Sequence, residues 1–120
     1  MKNVTLVLGA SLKPERYSNK AIKRLTANNI DVVAVGGREG VVDNVTIVKE
    51  KENFANIDTV TLYLNPKRQK DYYDYIIRLQ PNRVIFNPGT ENFELIEKLR
   101  AFDIKAELAC TLVLLATNQY

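Results

Sequence analysis

Val4-Thr5-Leu6-Val7-Leu8-Gly9-Ala10-Ser11-Leu12-Lys13-Pro14-Glu15-Arg16-Tyr17-Ser18 is the stretch whose reading decides the fold. Residues 4–8 are apolar or β-branched, with none of the polar alternation of a half-solvated strand. They read as a strand buried on both faces, the kind found inside parallel sheets. Gly9 closes it. After the loop, Ser18 stands where it caps a helix carrying Ala21, Ile22 and Leu25 on one face.

The rest of the chain repeats this strand, loop and helix. Asp31–Val35 is a second buried run, ended by Gly36-Gly37, and Val45–Val48 is a short third strand near an edge. Thr59–Leu64 is the fourth. Asn65-Pro66 then opens a helix with a cap residue and a proline in the first turn, where proline fits best. Tyr72, Tyr75, Ile76 and Leu79 form its apolar face. Arg83–Phe86 is the fifth strand. Pro88-Gly89 turns the chain, Thr90 caps, and Leu95, Ile96, Leu99 and Phe102 line another helix. Ile104–Leu108 is a weaker sixth strand, and the apolar tail Thr111–Ala116 reads as a short helix in preference to a strand.

Strands alternating with helices predict an α/β fold, a three-layer αβα sandwich with a Rossmann-like doubly wound parallel sheet. With right-handed crossovers the expected strand order is 3-2-1-4-5, the sixth beside the fifth. In such sheets ligands sit beyond the carboxyl ends of the strands, where strand order reverses. That point falls between the first and fourth strands, so the loops that matter are 9–18, 36–40, 64–66 and 87–90.

Composition narrows the chemistry. The 120 residues fit one domain, 1–120, and 46% hydrophobic with 26% charged residues is the globular norm. Cys110 is the only cysteine, so no intrachain disulfide forms and a reducing cytoplasm is the natural setting. There is no histidine. That removes the commonest general base, the Ser-His triad and histidine-ligated zinc, and one cysteine builds no thiolate zinc site. No metal site is expected. The opening apolar run is too short for a signal peptide or a membrane span, so a cytoplasmic chain with no membrane contact is expected.

The net charge is +3, unevenly placed: residues 1–40 hold seven basic and three acidic side chains, residues 41–120 ten and eleven. An anionic ligand near the first third accounts for this; an unevenly charged solvated surface is the alternative. No basic run with interleaved aromatics argues for nucleic acid.

In the first loop, amide N–H groups of the helix start can face an anion. Gly9 permits a tight turn or close ligand approach, Ser11 offers a hydroxyl and Arg16 a forked donor suited to phosphate. The G-x-G-x-x-G pattern of dinucleotide folds is absent; only Gly9 matches. After the second strand NAD-binding folds place an acid, whereas this chain reads Val35-Gly36-Gly37-Arg38-Glu39. Arg38 suits a phosphorylated ribose, as in NADP or coenzyme A. A glycine-rich turn with exposed charges is the other reading.

Gly9-Ala10-Ser11 followed by Pro14, Arg16 and Ser18 resembles the small stand-alone bacterial CoA-binding proteins, which are similar to the CoA-binding domain of the succinyl-CoA synthetase α subunit. The resemblance runs through nearly the whole chain, including the polar segment Val45–Asn56, Asp58 at the start of the next strand, and Cys110. It implies a phosphate role for Gly9, Ala10, Ser11 and Arg16, with Ser18 at the same helix start. It implies an adenosine-side role for Val35 and Arg38, and a groove-lining role for Leu64, Asn65, Pro66 and Asn87. The family usually carries Val-Asn-Pro where this chain has Val35-Gly36-Gly37. It often has an acid soon after the cysteine, where this chain has Thr111–Leu115.

No coherent nucleophile, base and oxyanion set emerges. Cys110 follows an apolar strand and reads as a buried packing residue. Tyr17, Tyr63, Tyr72, Tyr73 and Tyr75 are candidates for stacking or acid–base work, three of them on a helix with core spacing. Glu50, Glu52, Glu91 and Glu94 read as solvated helix charges. The resulting expectation is a non-catalytic module binding coenzyme A or an acyl-CoA. The alternatives are an NADP-dependent oxidoreductase module acting with a partner, and a fold retained for protein–protein contacts. The expected partner is a nucleotide-type small molecule. Dehydrogenases normally add a substrate domain, for which 120 residues leave no room.

Overall fold

The computed structural model describes residues 1–120. Seven strands form one sheet: β1 (Val4–Ala10), β2 (Asp31–Gly36), β3 (Gly40–Val42), β4 (Val45–Val48), β5 (Ile57–Leu62), β6 (Arg83–Phe86) and β7 (Lys105–Leu108). Their order is β3-β4-β2-β1-β5-β6-β7. All pairings are parallel except β3 with β4. The order expected from sequence holds, with Val45–Val48 as its third strand and one added hairpin strand at the edge.

The added strand has a local cause. Asp43 and Asn44 both take positive φ, 46° and 67°, between Val42 and Val45, which pair across the ladder. Two residues with positive φ between antiparallel strands give a tight hairpin whose twist matches the sheet, and Asp and Asn tolerate that region better than most.

The central strand is buried on both faces, with Leu6, Val7 and Leu8 fully enclosed. One face packs α1 (Tyr17–Ala27) and α5 (Thr111–Ala116), through Ile22, Leu25 and Leu115, onto Val7, Ala34 and Ile47. The other packs α3 (Tyr73–Leu79) and α4 (Phe93–Ala101), through Tyr75, Ile76, Leu95 and Leu99, onto Leu6, Leu8, Val60 and Val84. The result is the three-layer doubly wound arrangement.

Several local expectations need correction. The helix after β5 is broken: α2 (Pro66–Gln69) passes through a 3₁₀ turn at Lys70–Tyr72 into α3. Asn65 does cap it, its Oδ1 accepting from the Arg68 amide at 2.9 Å, with Pro66 in the first turn. Ser18 caps nothing; α1 starts at Tyr17, Arg16 is its N-cap residue, and Ser18 is buried inside the first turn. Thr90 is likewise no cap. Asn92 accepts from the Leu95 amide, while the Thr90 hydroxyl donates to the Asn87 carbonyl. Phe102 is 61% exposed, because α4 ends at Ala101 and the chain turns away before a further helical position could face the sheet. Cys110 is half-buried at the start of α5 rather than enclosed. Glu50, Glu52 and Glu91 lie outside any helix, and Glu91 accepts from the Gly89 amide at 2.9 Å.

No helix is long and apolar enough to cross a membrane.

Candidate functional site

The carboxyl ends of β2, β1, β5 and β6 lie side by side at the switch point, about 4.8 Å apart per step. Above them runs a groove of about 760 Å³. Two glycines allow the strand ends to come close enough to form its floor. Gly9 has φ +95°, a region costly for other residues, and a Cβ there would stand 3.0 Å from the Tyr63 carbonyl carbon. At Gly36 a Cβ would stand 2.2 Å from the Ala10 carbonyl oxygen, on the opposite side of β1. Gly36 therefore has a packing reason independent of any ligand.

Gly9, Ala10, Ser11, Arg16 and Ser18 line the groove, as do Val35, Arg38, Leu64 and Asn65. Pro66 and Asn87 do not. Pro66 is half-buried in the first turn of α2. Asn87 is buried beneath the rim and its polar atoms serve the protein. Its Nδ2 donates to Thr61 Oγ1 and the Leu62 carbonyl, and its Oδ1 accepts from the Thr111 amide at 2.8 Å. It ties β5, β6 and α5 together below the site.

Among the other lining residues, Lys13, Arg68 and Asp71 escaped the sequence reading, while Tyr17, Tyr63 and Tyr72 are among its stacking or acid–base candidates. Lys13 and Tyr17 flank the first loop's candidates. Arg68, Asp71 and Tyr72 form one wall. Their spacing of i, i+3, i+4 sets them on one side of this segment, about a third of a turn from Gln69, Tyr73 and Ile76, which are buried. Attention to that second side would have found Arg68 and Asp71. Pro88, Gly89 and Thr90 close the far end, as the choice of loops anticipated.

The groove is electropositive. Lys13, Arg16, Arg38 and Arg68 line it against one carboxylate, Asp71. None of the four cations enters an ion pair; the protein's pairs are Arg83–Glu107, Lys105–Glu107 and Arg100–Glu97. The start of α1 faces the same space with no capping side chain and no acid in its first turn. Its amide donors and the positive end of its dipole are left for an anion. Ser11 Oγ accepts from the Lys13 amide at 3.1 Å, which leaves its proton free to donate outward. Behind the loop, Asn19 Nδ2 holds the Ser11 carbonyl at 3.0 Å.

The tyrosines are poor bases. Burial pushes the Tyr63 hydroxyl up to about 12, and does the same to Tyr75, whose hydroxyl donates to the Glu52 carbonyl. Tyr73 is raised too, chiefly by burial, and its hydroxyl donates to Glu94 while accepting from Asn92. Tyr17 and Tyr72 remain as aromatic faces on the groove. No group of three or more carboxylates and cysteines is arranged to hold a metal ion.

The solved structures similar to this chain share the fold. A crystal structure of an uncharacterized protein matches with a TM-score of 0.95 at 42% identity, over 100% of this chain and 99% of its own. A hypothetical protein from Pyrococcus horikoshii OT3 matches with a TM-score of 0.81 at 28% identity, over 93% of this chain and 80% of its own. A Thermus thermophilus protein, 18% identical over 99% of this chain and 91% of its own, has a TM-score of 0.83 and shows the fold alone. No curated protein is significantly similar. The profile of the CoA binding domain family matches residues 3–116. With nearly every residue matched, on the expected sheet, the chain belongs to the CoA binding domain family.

Proposed function

We propose that residues 1–120 act as a non-catalytic module that binds coenzyme A or an acyl-CoA across the switch-point groove. The observation that carries this is the convergence of four unpaired cations and the uncapped start of α1 on one groove. The diphosphate lies over Gly9, Ala10 and Ser11, with Arg16 and the first amides of α1 as donors. Strand order supports the rest of the path. The adenosine end runs toward β2, where Val35 and Arg38 stand, and Arg38 meets the 3′-phosphate. The pantetheine arm runs toward the loops after β5 and β6. Tyr63, with the Thr61 and Thr111 hydroxyls as neighbours, is held protonated by burial at neutral pH.

Arg38 also favours a second reading. A 2′-phosphate on NADP would meet the same guanidinium, which fits an oxidoreductase module completed by a partner protein. Mass spectrometry of small molecules released from gently purified protein separates the two. Coenzyme A or acyl-CoA masses support the binding module, and NADP supports the second reading. Release of NAD overturns both.

A further inference from the structure

Gln69 is fully buried beside the groove, yet none of its polar atoms faces the ligand space. Its Nε2 donates to the Leu64 carbonyl and to the Thr90 carbonyl, each at 2.8 Å. Its Oε1 accepts from Asn92 Nδ2 at 2.9 Å. Both amide protons and the amide oxygen are therefore used. Leu64 belongs to the loop after β5 and Thr90 to the loop after β6, and both line the groove. One side chain bolts these loops to each other and to the start of α4, which Asn92 caps. Arg68, the preceding residue of α2, lines the groove.

The first loop is braced more lightly, by one side-chain bond from the buried Asn19 to the Ser11 carbonyl where Gln69 makes three. Residues 12–17 are all exposed, and they are held by the Arg16 amide on the Lys13 carbonyl and by contacts to Ser11. The two ends of the groove are thus built differently: a phosphate loop with free donors, and a far end whose spacing is fixed from behind.

We infer that Gln69 is the positioning residue for the far end of the groove, holding the β5 and β6 loops at the separation the ligand's arm requires. This rests on the reading that the groove takes coenzyme A with its arm toward those loops. A buried amide that braces two loops matters for the part of the ligand between them and leaves the nucleotide end alone.

The test is calorimetric titration with two ligands, coenzyme A and adenosine 3′,5′-bisphosphate, which lacks the arm. Two variants are compared with the wild type. Gln69→Met keeps the volume and removes all three hydrogen bonds. Asn92→Ser keeps a side-chain oxygen able to cap α4 but removes the amide that donates to Gln69 and to the Tyr73 hydroxyl. Gln69→Met is expected to lose about tenfold in affinity for coenzyme A, the equivalent of one to two buried hydrogen bonds. Affinity for the bisphosphate should stay within about twofold. Asn92→Ser should show the same selectivity with a loss of about threefold, since only one of the three bonds is gone. If Gln69→Met does not fold, Asn92→Ser decides alone. Equal losses for both ligands, or none for either, overturn the role of Gln69 while leaving the groove reading intact. Failure of the wild type to bind coenzyme A overturns the groove reading, and the role of Gln69 with it.

Discussion

Replacing Arg38 tests the groove reading at a single phosphate. Arg38 is exposed, makes no ion pair or side-chain hydrogen bond, and lines the groove just beyond Gly36-Gly37. No internal contact has to break for it to meet a ligand. An exposed ion pair is worth about 0.2–1 kcal/mol, and a desolvated charge-assisted hydrogen bond about 1.5–3 kcal/mol. At the open rim of a groove, with a dianionic phosphate as partner, about 1–2 kcal/mol is the reasonable figure, or roughly five- to thirtyfold in affinity. Coenzyme A should therefore bind more tightly than dephospho-CoA by that factor in the wild type. Arg38→Ala should close the gap by weakening coenzyme A alone. The assay is a cycle of two proteins against two ligands by calorimetry. Because the contact is partly solvated, the gap should also shrink as salt is raised from low to physiological strength. A gap that survives the mutation, or a mutation that weakens both ligands alike, would refute a phosphate-reading role for Arg38.

Arg16→Ala should weaken coenzyme A by about 1–2 kcal/mol without lowering the melting temperature, since the side chain is exposed; equal calorimetric affinities would remove it from the diphosphate site. Gly36→Ala should destabilise the fold itself, by roughly 1–3 kcal/mol in chemical denaturation, because the new Cβ has to push the Ala10 carbonyl out of the β1–β2 junction; an unchanged denaturation midpoint would show that junction to be slack. Alkaline pH should destabilise the protein. Tyr63 and Tyr75 ionise near 10 when unfolded but only at about 12 in the fold, so the unfolded state sheds protons first. Stability should fall as pH rises from about 10 to 12, read as a dropping melting temperature alongside tyrosinate absorbance; a flat profile there would contradict the burial of both hydroxyls.

Much of the fold was legible because buried parallel strands write themselves as uninterrupted apolar runs. Val4–Leu8 and Asp31–Val35 lie wholly in strands, the run Thr59–Leu64 overshoots its strand by Tyr63 and Leu64, and the strand order is that of the doubly wound sheet the alternation of strands and helices predicted. The β3–β4 hairpin was missed because its signal is short: three residues on one side and an Asp-Asn turn in place of the stronger Asn-Gly. The caps at Ser18 and Thr90 were misassigned for a different reason. A hydroxyl residue near a helix start has several uses, and tertiary contacts chose among them: Thr90 bonds back to Asn87, and Asn92 takes the cap.

The groove's loops were readable because strand order locates the switch point. Individual residues were less so. Asn87 sits in the right loop but is turned into the protein, a difference that depends on Thr61 and Thr111, distant in sequence. Arg68 and Asp71 were hidden because the helix was read for its core face, to which Tyr72 was assigned although it lines the groove. The face turned to a ligand obeys the same periodicity one-third of a turn away.

The central claim is that this groove selects a phosphorylated adenosine ligand carrying a pantetheine arm. Titration of the wild-type protein with coenzyme A, NADP and NAD under one set of conditions tests it most directly. The account predicts saturable binding of one coenzyme A per chain, at least as tight as NADP, with NAD weakest because it offers no phosphate to Arg38. Tightest binding by NAD, or no binding of any of the three at millimolar concentration, would contradict it.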